Sequence, residues 1–167
     1  MGERTQQNIV FENIWQKDRP DLHRQIKDHW EQLFAIDPAE IEKRIGEVVF
    51  VIHDGAGSIA GISTARKVYV KQLKNYLYGV RFMISPGYRS PGLMSKLVMQ
   101  TRDFLEAIHK LDHPNPCIGL IALVENEHMK KKLRAPILSS GFVYIGNSSA
   151  GHHVRVYYFK GSHITLQ

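Results

Sequence analysis

Cysteine is almost absent from this chain: among 167 residues there is one, Cys117. A lone thiol excludes an internal disulfide and any CxxC pair for zinc or redox chemistry. Long apolar runs are missing as well. The longest, 48–52 (VVFVI) and 120–124 (LIALV), fall far short of the roughly 20 residues that a membrane-spanning helix needs. The opening MGERTQ has no apolar core of the kind that heads a secretory leader, and Gln6 stands where a myristoylation signal wants Ser or Thr. Neither GxxxxGK[ST] nor GxGxxG occurs, which sets aside a Walker loop and a dinucleotide fingerprint. No repeat and no low-complexity tract is visible, so solenoids and linkers are excluded. His152 and His153 are neighbours, and neighbours in a strand point to opposite faces, a poor geometry for one ion; no metal site is expected.

What is present is an ordinary core and an excess of positive charge. Hydrophobic residues make up 43% and charged residues 23%, enough for one domain over 1–167, soluble and cytoplasmic. Lys and Arg number 22 against 16 Asp and Glu, a formal +6. Such an excess favours encounter with polyanions, whether nucleic acid, a membrane surface or a phosphorylated small molecule, and also serves solubility alone. No membrane partner is expected from the apolar pattern.

Hydrophobic periodicity gives the order β α α β β β α β α β β. Residues 8–14 alternate as a short strand. Asp18 and Asp21 offer N-caps, with Pro20 at a first helical position, for a helix through about Ala35 that buries Leu22, Ile26, Trp30 and Leu33. Asp37-Pro38-Ala39-Glu40 repeats the start signal in the form of a capping box, for a short helix ending near Gly46. Segments 47–53 and 59–70 flank the turn DGAGS and form an antiparallel hairpin. Residues 76–85 form a strand stopped by Pro86-Gly87. A helix over 92–111 buries Leu93, Leu97, Phe104, Leu105, Ile108 and Leu111, and a loop runs through 112–116. The unbroken apolar run 117–124 predicts a strand covered on both faces. A polar helix over about 125–134 and a last hairpin of 142–146 and 153–159 complete a mixed sheet packed with helices.

The segment 81–95, RFMISPGYRSPGLMS, carries the most chemical information. A strand ends, a glycine-bearing loop follows, and a helix starts at once. First-turn N–H groups have no partner inside the helix and sit at the positive end of its dipole. Gly92 lacks a Cβ, so a phosphate can approach them closely, Pro91 fixes φ in the loop, and Arg89 adds a fixed charge. A pyrophosphate-bearing ligand is the predicted occupant.

Arg89-Ser90-Pro91-Gly92-Leu93-Met94, with a strand before and a helix after, resembles the (Gln/Arg)-x-x-Gly-x-(Gly/Ala) loop of the GNAT superfamily of N-acetyltransferases. The resemblance runs over about 46–160 and takes in the hairpin, the long helix, the apolar strand ending at Glu125-Asn126 and the Gly141-Phe142 pair. It implies an α/β (α+β) fold with a mixed, mostly antiparallel central sheet flanked by helices. It implies acetyl-CoA, or a close acyl-CoA, as cosubstrate, and transfer of the acyl group to an amine by direct attack in a ternary complex. Pantetheine would bond to the backbone near Met83 and Ile84, and the pyrophosphate would rest on the amides of Ser90, Gly92, Leu93, Met94 and Ser95 beside Arg89. The strand 117–124 would part from 76–85 to admit the thioester, and Asn126 matches the asparagine that contacts pantetheine.

Two positions depart from the pattern. Met94 replaces the last small residue of the loop, and Leu133 stands where many members carry the general-acid tyrosine. Tyr144, Tyr157, Tyr158, Ser139, Ser140 and solvent are the substitutes. Tyr78, on the strand before the loop, and Glu125, at the end of the apolar strand, are candidate proton-relay groups; Ser63 and Thr64 could line an acceptor pocket. Lys130-Lys131-Lys132 and Arg134 read as a solvated helix end or as a contact for the 3′-phosphate of CoA or for nucleic acid. Cys117 reads as inert core. A non-catalytic acyl-CoA-binding module and a nucleic-acid-directed modifying protein stand beside the transferase as alternatives. The amine acceptor carries no recognisable code, and a sheet edge leaves a homodimer open.

Overall fold

In the computed structural model, residues 8–90, 92–110 and 113–166 are described. The expectations placed on residues 1–7, Pro91, Leu111 and Asp112 lie outside them. The elements run β1 (Val10–Asn13), α1 (Pro20–Phe34), α2 (Pro38–Arg44), β2 (Val48–His53), β3 (Ile59–Val70), β4 (Asn75–Ile84), α3 (Leu93–Ile108), β5 (Cys117–Val124), α4 (Glu127–Lys132), β6 (Val143–Asn147) and β7 (His153–Tyr158). This is the order that the periodicity predicts. The fold class is a mixed α/β arrangement with strand order β1-β2-β3-β4-β5-β7-β6. β4 and β5 pair in parallel, whereas β1 with β2, β2 with β3, β5 with β7 and β6 with β7 are antiparallel. No helix among the described residues is long and apolar enough to cross a membrane.

The chain divides into two compact units, one of residues 1–64 and 82–101, the other of 65–81 and 102–167. In the first, α1 and α2 close over β2 and the start of β3. Leu22, Ile26 and Trp30 recur every four residues along α1 and are buried with Ile14, Ile41, Val48, Val51, Ile59 and Ile62. Side chains of this size each gain roughly 1.5–3 kcal/mol from leaving water, so this cluster is what holds the N-terminal helices on the sheet.

Two expectations for α1 need correction. Its N-cap is Arg19, with no side-chain cap, and neither Asp18 nor Asp21 takes that role. Leu33 is 51% exposed, because the helix ends one residue later. Ala35 turns the chain at φ 48, and Phe34 and Ile36 pack on the cluster instead. An alanine in the left-handed region costs about 1–2 kcal/mol, which that apolar contact offsets. In α2 the cap is as predicted, with the Asp37 carboxylate accepting from the N–H of Ala39 and Glu40. The Glu40 side chain, the other half of the expected capping box, accepts from Arg44 Nε at 2.8 Å.

The second unit is built on β5, β7 and β6. Leu77, Ile118 and Val156 form its buried centre, with Val70, Leu73, Ile121 and Ile145 packed around them. β5 pairs residue for residue with β7 from Gly119–Tyr158 to Val124–His153. Only its first half is covered on both faces; Leu123 is 49% exposed. The apolar run therefore overstates burial at the C-terminal end of this strand.

Candidate functional site

In the first unit the end of β4 is pinned before the loop begins. The Ser85 N–H donates to the Ala60 carbonyl at 2.8 Å, and its hydroxyl donates to the Ile59 carbonyl at 2.9 Å. With that proton spent, the Ser85 oxygen accepts from His29 Nε2 at 2.9 Å, which fixes the tautomer of a neutral ring. Burial holds the His29 pKa below its ordinary 6.5, so the unfolded chain takes up a proton that the folded one resists. Stability is full above about pH 6.5 and falls as pH drops from there toward the lower folded value. His29→Gln, which keeps a donor, should flatten that acid-side fall in Tm between about pH 7 and pH 5; an unchanged slope in thermal unfolding would assign it to other groups.

Past Ser85 the chain makes a 3-10 turn over Pro86–Tyr88. The Tyr88 N–H donates to the Ser85 carbonyl, and the Ser90 N–H to the Tyr88 carbonyl at 2.8 Å. The Tyr88 hydroxyl donates to the Asp54 carboxylate in the β2–β3 turn. That contact, first among several hydrogen bonds, holds the Asp54 pKa below the usual carboxylate range and raises that of Tyr88. Arg89 is anchored by Nε donating to the Ile84 carbonyl at 3.4 Å. Gly92 has φ +91, a region that only glycine enters without strain, and a Cβ built there meets no atom within 4 Å. Its carbonyl accepts from the Lys96 N–H at 2.9 Å. Among the described residues the first rung of the helix ladder is therefore the bond from Lys96 to Gly92, and the amides of Gly92, Leu93, Met94 and Ser95 precede its donor. Leu93 is buried and anchors the first turn, Met94 is half-buried, and Ser90, Gly92 and Ser95 are exposed. Ser90 differs from the others, because its amide is already donated within the loop.

In the second unit the parallel register of β4 with β5 runs from Tyr76–Cys117 to Gly79–Ile121. β5 continues for three residues beyond that pair, still in register with β7. Tyr78 is half-buried, with its ring 6.5 Å from that of Phe159. Burial, more than the nearby Cys117, raises its pKa, so it is a neutral phenol able to donate. The Cys117 thiol is pushed up to about 11 by burial, which fits inert core. Glu125 is exposed and lies between β5 and α4. Asn126 is the N-cap of α4, its Oδ1 accepting from the Met129 N–H at 3.2 Å; its amide nitrogen is a separate donor.

The expected acceptor-pocket residues Ser63 and Thr64 are core, at 0% and 5% exposure. Ser63 Oγ accepts from Thr101 Oγ1 at 2.8 Å and from the Phe50 N–H at 3.2 Å. Among the substitutes for the missing acid, Tyr144 donates its hydroxyl to Asn147 and Tyr157 to Glu106, both at close to 2.9 Å; Tyr158 is 46% exposed. Sequence reasoning passed over His29, Thr101 and Arg155. Thr101 sits four residues from both Leu97 and Leu105, a polar residue on an apolar stripe, and that spacing could have found it. His109 and His113 are spaced HxxxH, but α3 ends at Ile108, so they do not share a helix face. Among the described residues no group of three or more His, Cys, Asp or Glu side chains could hold a metal ion.

The loop residues line neither the cavity of about 390 Å³ beside Arg19 and His53 in the first unit nor the one of about 680 Å³ beside α4 and β7 in the second. A cradle of backbone amides is a shallow concavity and does not need an enclosed volume to bind a diphosphate.

No protein-family model and no curated protein matches the sequence. Solved structures do match the fold. A GNAT family N-acetyltransferase of Escherichia coli in complex with CoA superposes with TM-score 0.63 at 14% identity, over 95% of this chain and 86% of that one. A GNAT superfamily phosphinothricin acetyltransferase of Sinorhizobium meliloti in complex with acetyl-CoA gives 0.62 at 15% identity, over 95% and 92%. The AtaT toxin bound to the C-terminus of the antitoxin AtaR gives 0.57 at 13% identity, over 92% and 94%. This chain has the GNAT acetyltransferase fold, and that fold serves proteins of more than one role.

Proposed function

We propose that residues 1–167 form a single acyltransferase domain that moves an acetyl group from acetyl-CoA, or a close acyl-CoA, to an amine. The observation that carries this reading is the junction at Gly92: a positive-φ glycine and a run of first-turn amides that precede the helix ladder. It stands on a fold whose E. coli and S. meliloti relatives hold CoA and acetyl-CoA. In the reading, the diphosphate takes the N–H groups of Gly92, Leu93, Met94 and Ser95 with the Arg89 charge alongside. Ser90 joins only by releasing its bond to Tyr88. Pantetheine bonds to the backbone at Met83 and Ile84, and Asn126 donates its amide nitrogen.

The chemistry is attack of the amine nitrogen on the thioester carbonyl carbon. The C–N bond forms, the C–S bond breaks, the nitrogen loses a proton and the thiolate gains one. Tyr78, a phenol raised by burial, is the proton donor to sulfur; the Glu125 carboxylate accepts the proton from nitrogen. Leu133, where a tyrosine acid would stand, favours a second reading in which CoA binds without turnover.

Calorimetry with CoA tests the cradle. Arg89→Ala should bind CoA about 10- to 100-fold more weakly, the worth of one charge-assisted contact, with an unchanged circular dichroism spectrum. Equal affinity would place the diphosphate elsewhere. Thiol release across a panel of amines tests the transfer, and tight CoA binding with no thiol released from any amine would replace the enzyme by a binding module.

A further inference from the structure

Arg155, in the middle of β7, is 3% exposed. Its guanidinium donates to three carbonyls of the segment after α4: NH1 to Ala135 at 3.0 Å and Pro136 at 3.3 Å, NH2 to Leu133 at 2.6 Å. Nε has no partner among the described residues, and the Tyr144 ring lies under the charge at 5.8 Å. Carbonyl dipoles and a π face steady a cation without neutralising it. Burial, more than Tyr144 offsets, pulls the Arg155 pKa below its ordinary value, the mark of a charge short of compensation.

Arg155 also lines the cavity of about 680 Å³, together with Lys130, Lys131, Arg134, His153 and Glu127. Glu127 is the single carboxylate of that lining, and it is taken by Lys130 Nζ at 2.7 Å. Lys130 is further engaged by the Gly151 carbonyl at 3.0 Å. Among the described residues, Lys131, Arg134 and Arg155 are left with no ion pair. Three residues with permanent cations then line one concavity, all within the second unit.

We propose that this cavity is an oxyanion site that takes a phosphate group, compensating Arg155, Lys131 and Arg134. A carboxylate would leave two of the three charges unanswered, whereas a phosphate dianion presents three oxygens and up to two charges to them. The cavity is far larger than a phosphate and within the range of organic ligands. The remainder of the ligand has Leu133 and Pro136 to lie against. The phosphate comes either from a small phosphate monoester, which brings both charges at once, or from a nucleic acid, whose successive backbone phosphodiesters bring one charge each.

The test follows the Arg155 Nε–H signal in a nitrogen-15 spectrum of the full chain. Sodium phosphate is titrated against sodium chloride at matched ionic strength. A saturable shift with phosphate alone is expected, weakened tenfold or more in Lys131→Ala/Arg134→Ala, two exposed positions whose loss leaves the remaining spectrum in place. A shift equal to that of chloride, or an affinity unmoved in the double variant, overturns the proposal. So does displacement of phosphate by CoA but not by dephospho-CoA, since the charges would then serve the 3′-phosphate of CoA. Adenosine 5′-monophosphate and a short single-stranded RNA separate the sources. Tighter binding of the mononucleotide points to a small ester; tighter binding of RNA, falling steeply with salt, points to a polymer backbone. Either result supports the site.

Discussion

Gly119→Ala should cost at least about 3 kcal/mol of stability, more than most single-methyl additions to a core. A Cβ placed on Gly119 lies 2.1 Å from the Tyr157 carbonyl oxygen and 3.0 Å from Tyr158 Cα. Both obstacles are backbone, so no rotamer change relieves them. β7 must move away from β5 at the pair Gly119–Tyr158, where the ladder between the two strands starts. Gly79→Ala on β4 is the control, because the same atom there meets Arg66 O and the Val68 methyls at 3.6 Å, ordinary van der Waals contact. That variant should stay within about 1 kcal/mol of the parent, and the gain in strand propensity acts in its favour. Urea unfolding at equal m reads both. A Gly119→Ala midpoint as high as that of Gly79→Ala would mean that β5 and β7 do not approach as closely as described.

That pair of glycines shows what a sequence can and cannot disclose. Both stand in strands bordered by apolar residues, and nothing local separates a glycine that is required from one that is tolerated. The difference lies in how close another strand passes, which is a property of the sheet. The same reason explains the error at Leu33. The 3.6 period continues through it, but the helix stops at Phe34 because Ala35 takes a left-handed conformation. Periodicity reports which face is apolar, not where the neighbouring layer ends. The order of elements was legible because each boundary carries its own chemistry: Pro38 after the Asp37 cap, the DGAGS turn, and Pro86-Gly87 after β4.

For the candidate site, the strand–glycine–helix junction was readable because its requirement is local. A glycine between a strand and a helix, with an arginine three residues before it, needs no distant partner to make sense. The buried polar groups were not readable. Ser85 looks like a strand end, yet His29, 56 positions earlier, supplies its hydrogen bond. Arg155 alternates in a β-strand in the manner of a surface residue and is instead buried beneath the segment that follows α4. Those pairings exist only once the sheet has brought remote segments together. Ser63 and Thr64 were misread in the opposite sense: hydroxyls in a strand suggest a pocket, but Thr101 from α3 satisfies Ser63 inside the core.

Gly92→Glu is expected to abolish CoA binding, by on the order of 100-fold or more, while leaving the fold nearly as stable as in Gly92→Ala. Two effects act at this position, and the pair of variants separates them. Any side chain at φ +91 strains the backbone by about 1–3 kcal/mol, and alanine and glutamate share that cost. There is room for both, since no atom lies within 4 Å of the position a Cβ would take. They differ in charge. A carboxylate at the start of α3 sits favourably in the helix dipole, worth about 0.3–1 kcal/mol, so the glutamate variant should melt no lower than the alanine one. Toward a diphosphate the sign reverses. A like charge about 4 Å away in a partly solvated site opposes binding by roughly 1–4 kcal/mol, and it also competes for the same amides. The expected pattern is thus a thermal order of Glu at or above Ala with a CoA affinity order of Ala far above Glu. Calorimetry and thermal unfolding on the two proteins read it directly. Equal CoA affinity for the two variants would show that the anion does not rest on this helix start, and the transferase reading would lose the observation on which it stands.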